Sequence, residues 1–170
     1  STGRMQNLIN DILRFSKINS EYTLQPVDLS KIASQIISDM EVTIEESGAE
    51  IIIGHLDHIM GNELQLGQVF QNLISNAIKF QHKSSIPKVT ISSKIIKGIE
   101  LNAEIKNKLM SNNSITDINK INESDYCLIE FADNGIGFNE DYSEKIFEVF
   151  QRFHNGENYK GTGVGLAVCK

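Results

Sequence analysis

From Asn62 the chain runs "NELQLGQVFQNLISNAIKF", in which Leu66, Val69, Phe70, Leu73, Ile74, Ala77 and Ile78 recur at three- and four-residue spacing. That spacing predicts a helix with one continuous apolar face. A face this wide has to be covered by a second layer, and the strands to supply it stand on either side. "AEIII" reads as a short buried strand, and "KVTISSKII" and "YCLIEFAD" are rich in β-branched and aromatic residues with partial alternation. Upstream, Asp28 is placed to cap a helix carrying Leu29, Ile32, Ile36, Met40 and Ile44, with Gly48 placed to end it. This order of elements predicts an α/β (α+β) two-layer sandwich, with helices covering one face of a sheet.

The first segment, "GRMQNLINDILRFSKI", sets Met5, Leu8, Ile12, Phe15 and Ile18 on one amphipathic face and has the look of the end of a longer helix. We therefore expect residues 1–20 to be a separate helix, 21–28 a linker around Pro26, and 29–170 the main domain. Between the last two strands lies a stretch at about 97–124, rich in Asn, Lys and Ser and of weak periodicity. It reads as a partly mobile surface insertion with one helical turn near Ala103 to Leu109.

A net charge of −6 argues against a nucleic-acid surface, because phosphate-backbone affinity needs clustered Lys and Arg. Any phosphate bound here must be held locally. Cys127 and Cys169 are too few for a disulfide framework, which suits a reducing cytoplasm, and no stretch of about 18 apolar residues exists to span a bilayer. His55 and His58 form an H-x-x-H pair with no Cys or third His at ligand spacing, so they make a poor metal site.

The helix from Asn62 also carries a polar strip. Gln68, Asn72, Ser75, Asn76 and Lys79 share the face beside the apolar stripe. An ordinary solvated face would look the same, but amides and an amine ranked along one helix also match what a Mg²⁺–triphosphate needs. Asp133 ends a strand and is followed by Asn134, Gly135, Ile136 and Gly137. Such an Asp is most often a turn former. A carboxylate there could also accept a hydrogen bond from an exocyclic amine, with the glycines admitting a flat base. Phe147, Phe150 and Phe153 stand three apart and read equally as core, with Arg152 among them a candidate phosphate contact. "KGTGVGL" is neither G-x-G-x-x-G nor a P-loop, which leaves a flexible segment from Lys160 through Gly161, Gly163 and Gly165 into a helix whose first amides face an anion.

In this order the four stretches resemble the ATP-binding catalytic domain of sensor histidine kinases, in the GHKL group of ATPases. "QVFQNLISNAIKF" is similar to the N box, "DNGIGF" to the first glycine box, "IFEVFQRF" to the F box and "GTGVGLAVCK" to the second glycine box. The resemblance runs from about Val27 to Lys170, outside the insertion. It implies a mixed sheet under one layer of helices, ATP and Mg²⁺ as ligands, and Asn76 as the Mg²⁺ ligand with Asn72 and Lys79 at the phosphates. It also implies Asp133 on the adenine amine, Gly135 and Gly137 shaping the base pocket, a lid from Phe147 to Gly165 that includes Phe150, Arg152, Lys160, Gly161, Thr162, Gly163 and Val164, and Phe138 and Leu166 as further ATP-binding residues.

The resemblance further implies that residues 1–20 end the second helix of a dimerisation and phosphotransfer hairpin, and that the family continues past Lys170. The family's acceptor His is followed by Glu or Asp, whereas Leu56, Ile59, Lys83 and Asn155 follow His55, His58, His82 and His154. No acceptor His is expected in this chain, which should not phosphorylate itself. The implied partners are a phosphotransfer hairpin, a response regulator receiver domain, and a second copy of the parent protein in a homodimer. The alternatives are a GHKL-type ATP hydrolase or clamp, which carries Glu where this chain has Asn72, and a non-catalytic nucleotide-binding module.

Overall fold

The computed structural model describes residues 23–82, 84–112 and 117–137, with Leu166 and Cys169. The expected helix at 1–20 lies outside these residues. The described elements run β1 (Gln25–Asp28), α1 (Leu29–Asp39), α2 (Glu41–Ser47), β2 (Glu50–Ile53), β3 (His58–Gly61), α3 (Glu63–Lys79), β4 (Lys88–Lys97), α4 (Ala103–Asn112), α5 (Ile118–Glu123) and β5 (Asp125–Asp133). A mixed sheet has the order β2-β4-β5, with β2 parallel and β5 antiparallel to β4, and β1 pairs with β3 in a separate antiparallel ribbon.

Alternation on β4 decides which face is covered. Val89, Ile91 and Ser93 are buried, while Lys88 and Lys94 are exposed. The buried side meets Leu29, Ile32 and Ala33 of α1 and Phe70, Ile74, Ala77 and Ile78 of α3, all in one core cluster. Phe70 has no exposed surface and meets Phe131 of β5 edge to face, with centroids 4.9 Å apart. Burying a side chain of this size contributes about 1.5–3 kcal/mol. The apolar face read from the sequence is thus the face that joins helix to sheet.

Local chemistry sets the element ends. Asp28 accepts hydrogen bonds from the Ser30 and Lys31 amides at 2.8 and 3.3 Å and starts α1. Asn62 accepts from the Gln65 amide at 2.9 Å and starts α3, whose first turn carries Glu63 and whose last carries Lys79, both favourable to the helix dipole. Two expectations change here. The helix expected to run from Leu29 to Gly48 breaks at Met40, which leaves helical geometry at φ −102°, ψ 8° with its side chain buried. Residues 25–28, expected as linker, form β1, because Val27 is buried opposite Ile59.

The insertion is more ordered than expected. It begins with a 3-10 turn at Gly98–Glu100, the helical turn expected near Ala103 to Leu109 is there as the longer α4, and α5 is added to it. Asn102 caps α4 by accepting from the Ile105 amide, and Asp117 caps α5 by accepting from that of Asn119. Its neck is closed: the Gly98 N–H donates to the Ser124 carbonyl at 2.8 Å, Lys97 pairs with Asp125 at 2.6 Å, and Ile121 is fully buried.

Ser93 holds the connection between β2 and β3. Its Oγ–H donates to Asp57 Oδ2 at 2.7 Å, its Oγ accepts from the Asp57 amide at 2.8 Å, and its own N–H donates to the His55 carbonyl. The Ser93 hydroxyl is the main reason the Asp57 carboxyl sits below its ordinary range; partial burial opposes this and His55 adds to it. A carboxylate lowered by folding contributes stability that is present above its unfolded value and lost as pH falls through its folded one. Ser93→Ala should therefore lower the melting temperature by about 3–6 °C at neutral pH. The difference should shrink below pH 3.8, the ordinary aspartate value. Melting curves at pH 7 and pH 3 check this, and a difference independent of pH would mean the Asp57 bond is not the cause.

Candidate functional site

The polar strip of α3 is sorted by burial. Gln68, Asn72, Asn76 and Lys79 are half-buried, whereas Ser75 and Gln71, four residues apart, are exposed. The strip is therefore not a solvated face, and Ser75 lies outside it. The Lys79 ammonium rests 4.3 Å from the centroid of the Phe80 ring, a cation–π arrangement.

Phe80 caps α3 and joins it to the Asp133 turn. Its N–H donates to the Asn76 carbonyl at 2.8 Å, and its carbonyl accepts from the Ile136 amide at 2.9 Å. The turn at the end of β5 is thus tied directly to the helix end that carries Asn76 and Lys79. Within it the Gly135 amide donates to Asp133 Oδ1 at 2.8 Å, so the turn-forming role of Asp133 is real for one oxygen. Among the described residues the other oxygen, Oδ2, has no hydrogen-bond partner, and the residue is exposed. A Cβ on Gly135 would stand 2.6 Å from both Asp133 Oδ1 and the Phe80 carbonyl oxygen, so this close approach admits only glycine. Gly137 follows at φ +63°.

Asn134, to which the sequence reading gave no role, holds the other side of this turn. Its Oδ1 accepts from the Lys88 amide at 2.8 Å, its Nδ2 donates to the Ile86 carbonyl at 2.9 Å, and its backbone N–H donates to the Lys88 carbonyl at 3.3 Å. A carboxamide following the last residue of a strand was the available signal.

From the second glycine stretch, Leu166 and Cys169 are described. The Cys169 amide donates to the Leu166 carbonyl at 3.0 Å. Burial pushes the Cys169 thiol up, while a hydrogen bond with Asn72 pulls it down, so the end of this stretch reaches the strip on α3. Phe138, Phe150, Arg152, Lys160, Gly161, Thr162, Gly163, Val164 and Gly165 lie outside the described residues. A groove of about 390 Å³ flanks the first turns of α3, between Ile59, Met60, Leu66, Val69 and Cys169. It is separate from Asn76 and Asp133.

Among the described residues no group of three His, Cys, Asp or Glu side chains could hold a metal. His55 and His58 instead lie near Asp57 and Asp28, at 3.1 and 3.5 Å. The one predicted ligand on the strip, Asn76, is a neutral oxygen donor, which fits Mg²⁺ shared with phosphates and water. No described helix is long and apolar enough to cross a membrane.

Residues 61–170 match the family described as histidine kinase-, DNA gyrase B-, and HSP90-like ATPase. The phytochrome-like protein Cph1 of Synechocystis is 36% identical over 167 residues, covering 98% of this chain and 19% of that protein. The sensor-like histidine kinase ycf26 of Porphyra purpurea is 31% identical over 175 residues, covering 99% of this chain and 24% of that protein. The chain thus spans about a quarter or less of the length of these relatives. Among solved structures, full-length ShkA in complex with AMPPNP is similar with a TM-score of 0.67 and 25% identity, over 99% of this chain and 30% of that one. The mycobacterial sensor histidine kinase MprB shares the fold, with a TM-score of 0.60 and 17% identity over 85% of this chain and 76% of that one. With residues 61–170 matched and the fold shared, this chain belongs to the histidine kinase-, DNA gyrase B-, and HSP90-like ATPase family.

Proposed function

We propose that this chain is the ATP-binding catalytic part of a two-component sensor histidine kinase. It would transfer the ATP γ-phosphate to a His on a phosphotransfer helix outside this chain, for onward transfer to an Asp of a response regulator. The observation that carries this reading is the docking of the Asp133 turn onto the C-terminal end of α3 through Phe80. It sets a base acceptor and a strip of amides and an amine on one continuous support, as a nucleotide with a base at one end and phosphates at the other requires.

In this reading Asp133 Oδ2 accepts the adenine amine, while Oδ1 keeps the turn closed on the Gly135 amide. Asn72, Asn76 and Lys79 hold the phosphates, with Asn76 offering its amide oxygen to Mg²⁺. The cation supplies charge neutralisation on the phosphates. Phe138 and Leu166 contact the nucleotide, and the segment Phe147 to Gly165, with Phe150, Arg152, Lys160, Gly161, Thr162, Gly163 and Val164, forms the lid that excludes water. The parent protein works as a cytoplasmic homodimer, and this chain, without an acceptor His, does not autophosphorylate.

Asn72 also favours the kinase over the hydrolase and clamp reading. A carboxamide cannot take a proton from water, so this position lacks the general base that hydrolysis needs. An imidazole nucleophile needs none.

Calorimetric titration with ADP, ATP and GTP, with and without Mg²⁺, tests the proposal. Adenine nucleotides should bind in preference to GTP, and more tightly with Mg²⁺. In Asn76→Ala the gain from Mg²⁺ should disappear while the Mg²⁺-free affinity stays. A variant that keeps the full gain places the cation elsewhere, and a folded wild type that binds no nucleotide ends the reading.

A further inference from the structure

We propose that Asn134 is the positioning residue of the base site. Its carboxamide replaces the last rung of the β4–β5 ladder, so that the main chain can leave the sheet and present Asp133 to the base. This inference rests on the nucleotide reading above and assigns what holds its recognition contact in place.

The argument starts from the register. β5 pairs with β4 as far as Asp133 opposite Val89. One step further, Asn134 would lie opposite Lys88, and a continuing strand would meet that residue with its own N–H and C=O. Only half of that happens: the Asn134 N–H reaches the Lys88 carbonyl at 3.3 Å, and the chain then turns through Gly135. The side chain supplies the missing half and more. Oδ1 takes the Lys88 amide at 2.8 Å, and Nδ2 reaches past it to the Ile86 carbonyl at 2.9 Å.

The segment gripped in this way is itself fixed. Pro87 is buried, and its carbonyl accepts from the Glu50 amide at 2.8 Å, so the β2 edge holds residues 86–88 from the other side. With Asn134 anchored there and the Ile136 amide anchored on the Phe80 carbonyl, the turn has one foot on the sheet and one on α3. Asp133 and Gly135 sit between the two feet. The position of Asp133 relative to Asn76 and Lys79 is then set by two fixed points, and only one of them depends on a side chain.

The chemistry demands asparagine. The Lys88 amide needs an acceptor and the Ile86 carbonyl needs a donor, side by side on a planar group. Aspartate satisfies the first and sets a negative oxygen against the second. Alanine satisfies neither. Because Asn134 is exposed, either loss leaves the fold standing and loosens only the turn.

The test titrates ADP and GDP into wild type, Asn134→Ala and Asn134→Asp, with melting temperatures taken alongside. ADP carries an amine at position 6 of the base, where Asp133 would read it, and GDP carries a carbonyl there, so the ratio of the two affinities reports the placement of that carboxylate. A general loss of structure weakens both nucleotides alike and leaves the ratio unchanged. Asn134→Ala should bind ADP about tenfold more weakly at constant GDP affinity, the effect of losing two ordinary hydrogen bonds. Asn134→Asp, which keeps the Lys88 bond, should fall between it and wild type. Should Asn134→Ala fail to fold, the same ratio in Asn134→Asp decides. An unchanged ratio in the folded variants overturns the proposal. A wild type with no preference for ADP over GDP overturns the nucleotide reading itself, and that result is seen before any substitution is made.

Discussion

Asp133→Asn should weaken ADP binding about a hundredfold while leaving the melting temperature within a degree or two of wild type. The two halves of this expectation come from the two oxygens. Oδ1 accepts the Gly135 amide at 2.8 Å, and an asparagine amide oxygen makes the same bond, so the turn survives. Oδ2 becomes an NH₂, which opposes the adenine amine donor to donor. Losing a charge-assisted hydrogen bond and leaving a polar group unpaired costs about 3 kcal/mol, hence the magnitude. Calorimetry with ADP measures it. Unchanged affinity in a folded variant would remove Asp133 from the nucleotide site.

Gly98→Ala should cost stability rather than binding. A Cβ at this position collides with the carbonyl oxygen of Ile121, stands 2.7 Å from the carbonyl carbon, and is 2.9 Å from Cε2 of the Tyr126 ring. Backbone cannot yield as a flexible side chain can. The neck has to open, losing the Gly98 to Ser124 hydrogen bond and exposing Ile121, which is fully buried. A cost of about 3 kcal/mol follows, a drop of about 6–12 °C in melting temperature for a chain of this size. Thermal unfolding by circular dichroism measures it, and a variant that melts with wild type would mean the neck is open in solution.

What could be read from the sequence follows from which interactions are periodic. The faces of α3 and β4 repeat along the chain, so the long-range contacts they make were visible as local patterns. The break at Met40 was not, because Leu29, Ile32, Ile36, Met40 and Ile44 keep helical spacing across it, and only the backbone shows the turn. Pro26 suggested a linker, yet β1 forms because Val27 finds Ile59 across the ribbon. The insertion showed α4 only as a turn and hid α5, which is six residues long and buries only Ile121.

At the site, Asn72, Asn76, Lys79, Asp133 and Gly135 were legible as residue types suited to a nucleotide, and the structure brings Asn76 and Asp133 together through Phe80. Phe80 acts through its backbone, and Asn134 acts across 46 to 48 residues of sequence. Neither leaves a trace in spacing. Ser75 was grouped with the strip because a one-residue step on a helix is easily counted into a neighbouring face.

The closed neck of the insertion also bears on how this domain can vary. Gly98 and Ser124 are held at hydrogen-bond distance, so the residues between them form a side loop whose ends do not move. The entropy of closing such a loop grows only slowly with its length, so lengthening or shortening it costs little. The neck stands at the Lys97–Asp125 end of the ladder and the Asp133 turn at the other, eight residues along β4, or roughly 26 Å. The distal end of this hairpin is therefore free to diversify, or to accept a grafted sequence, without disturbing the nucleotide end.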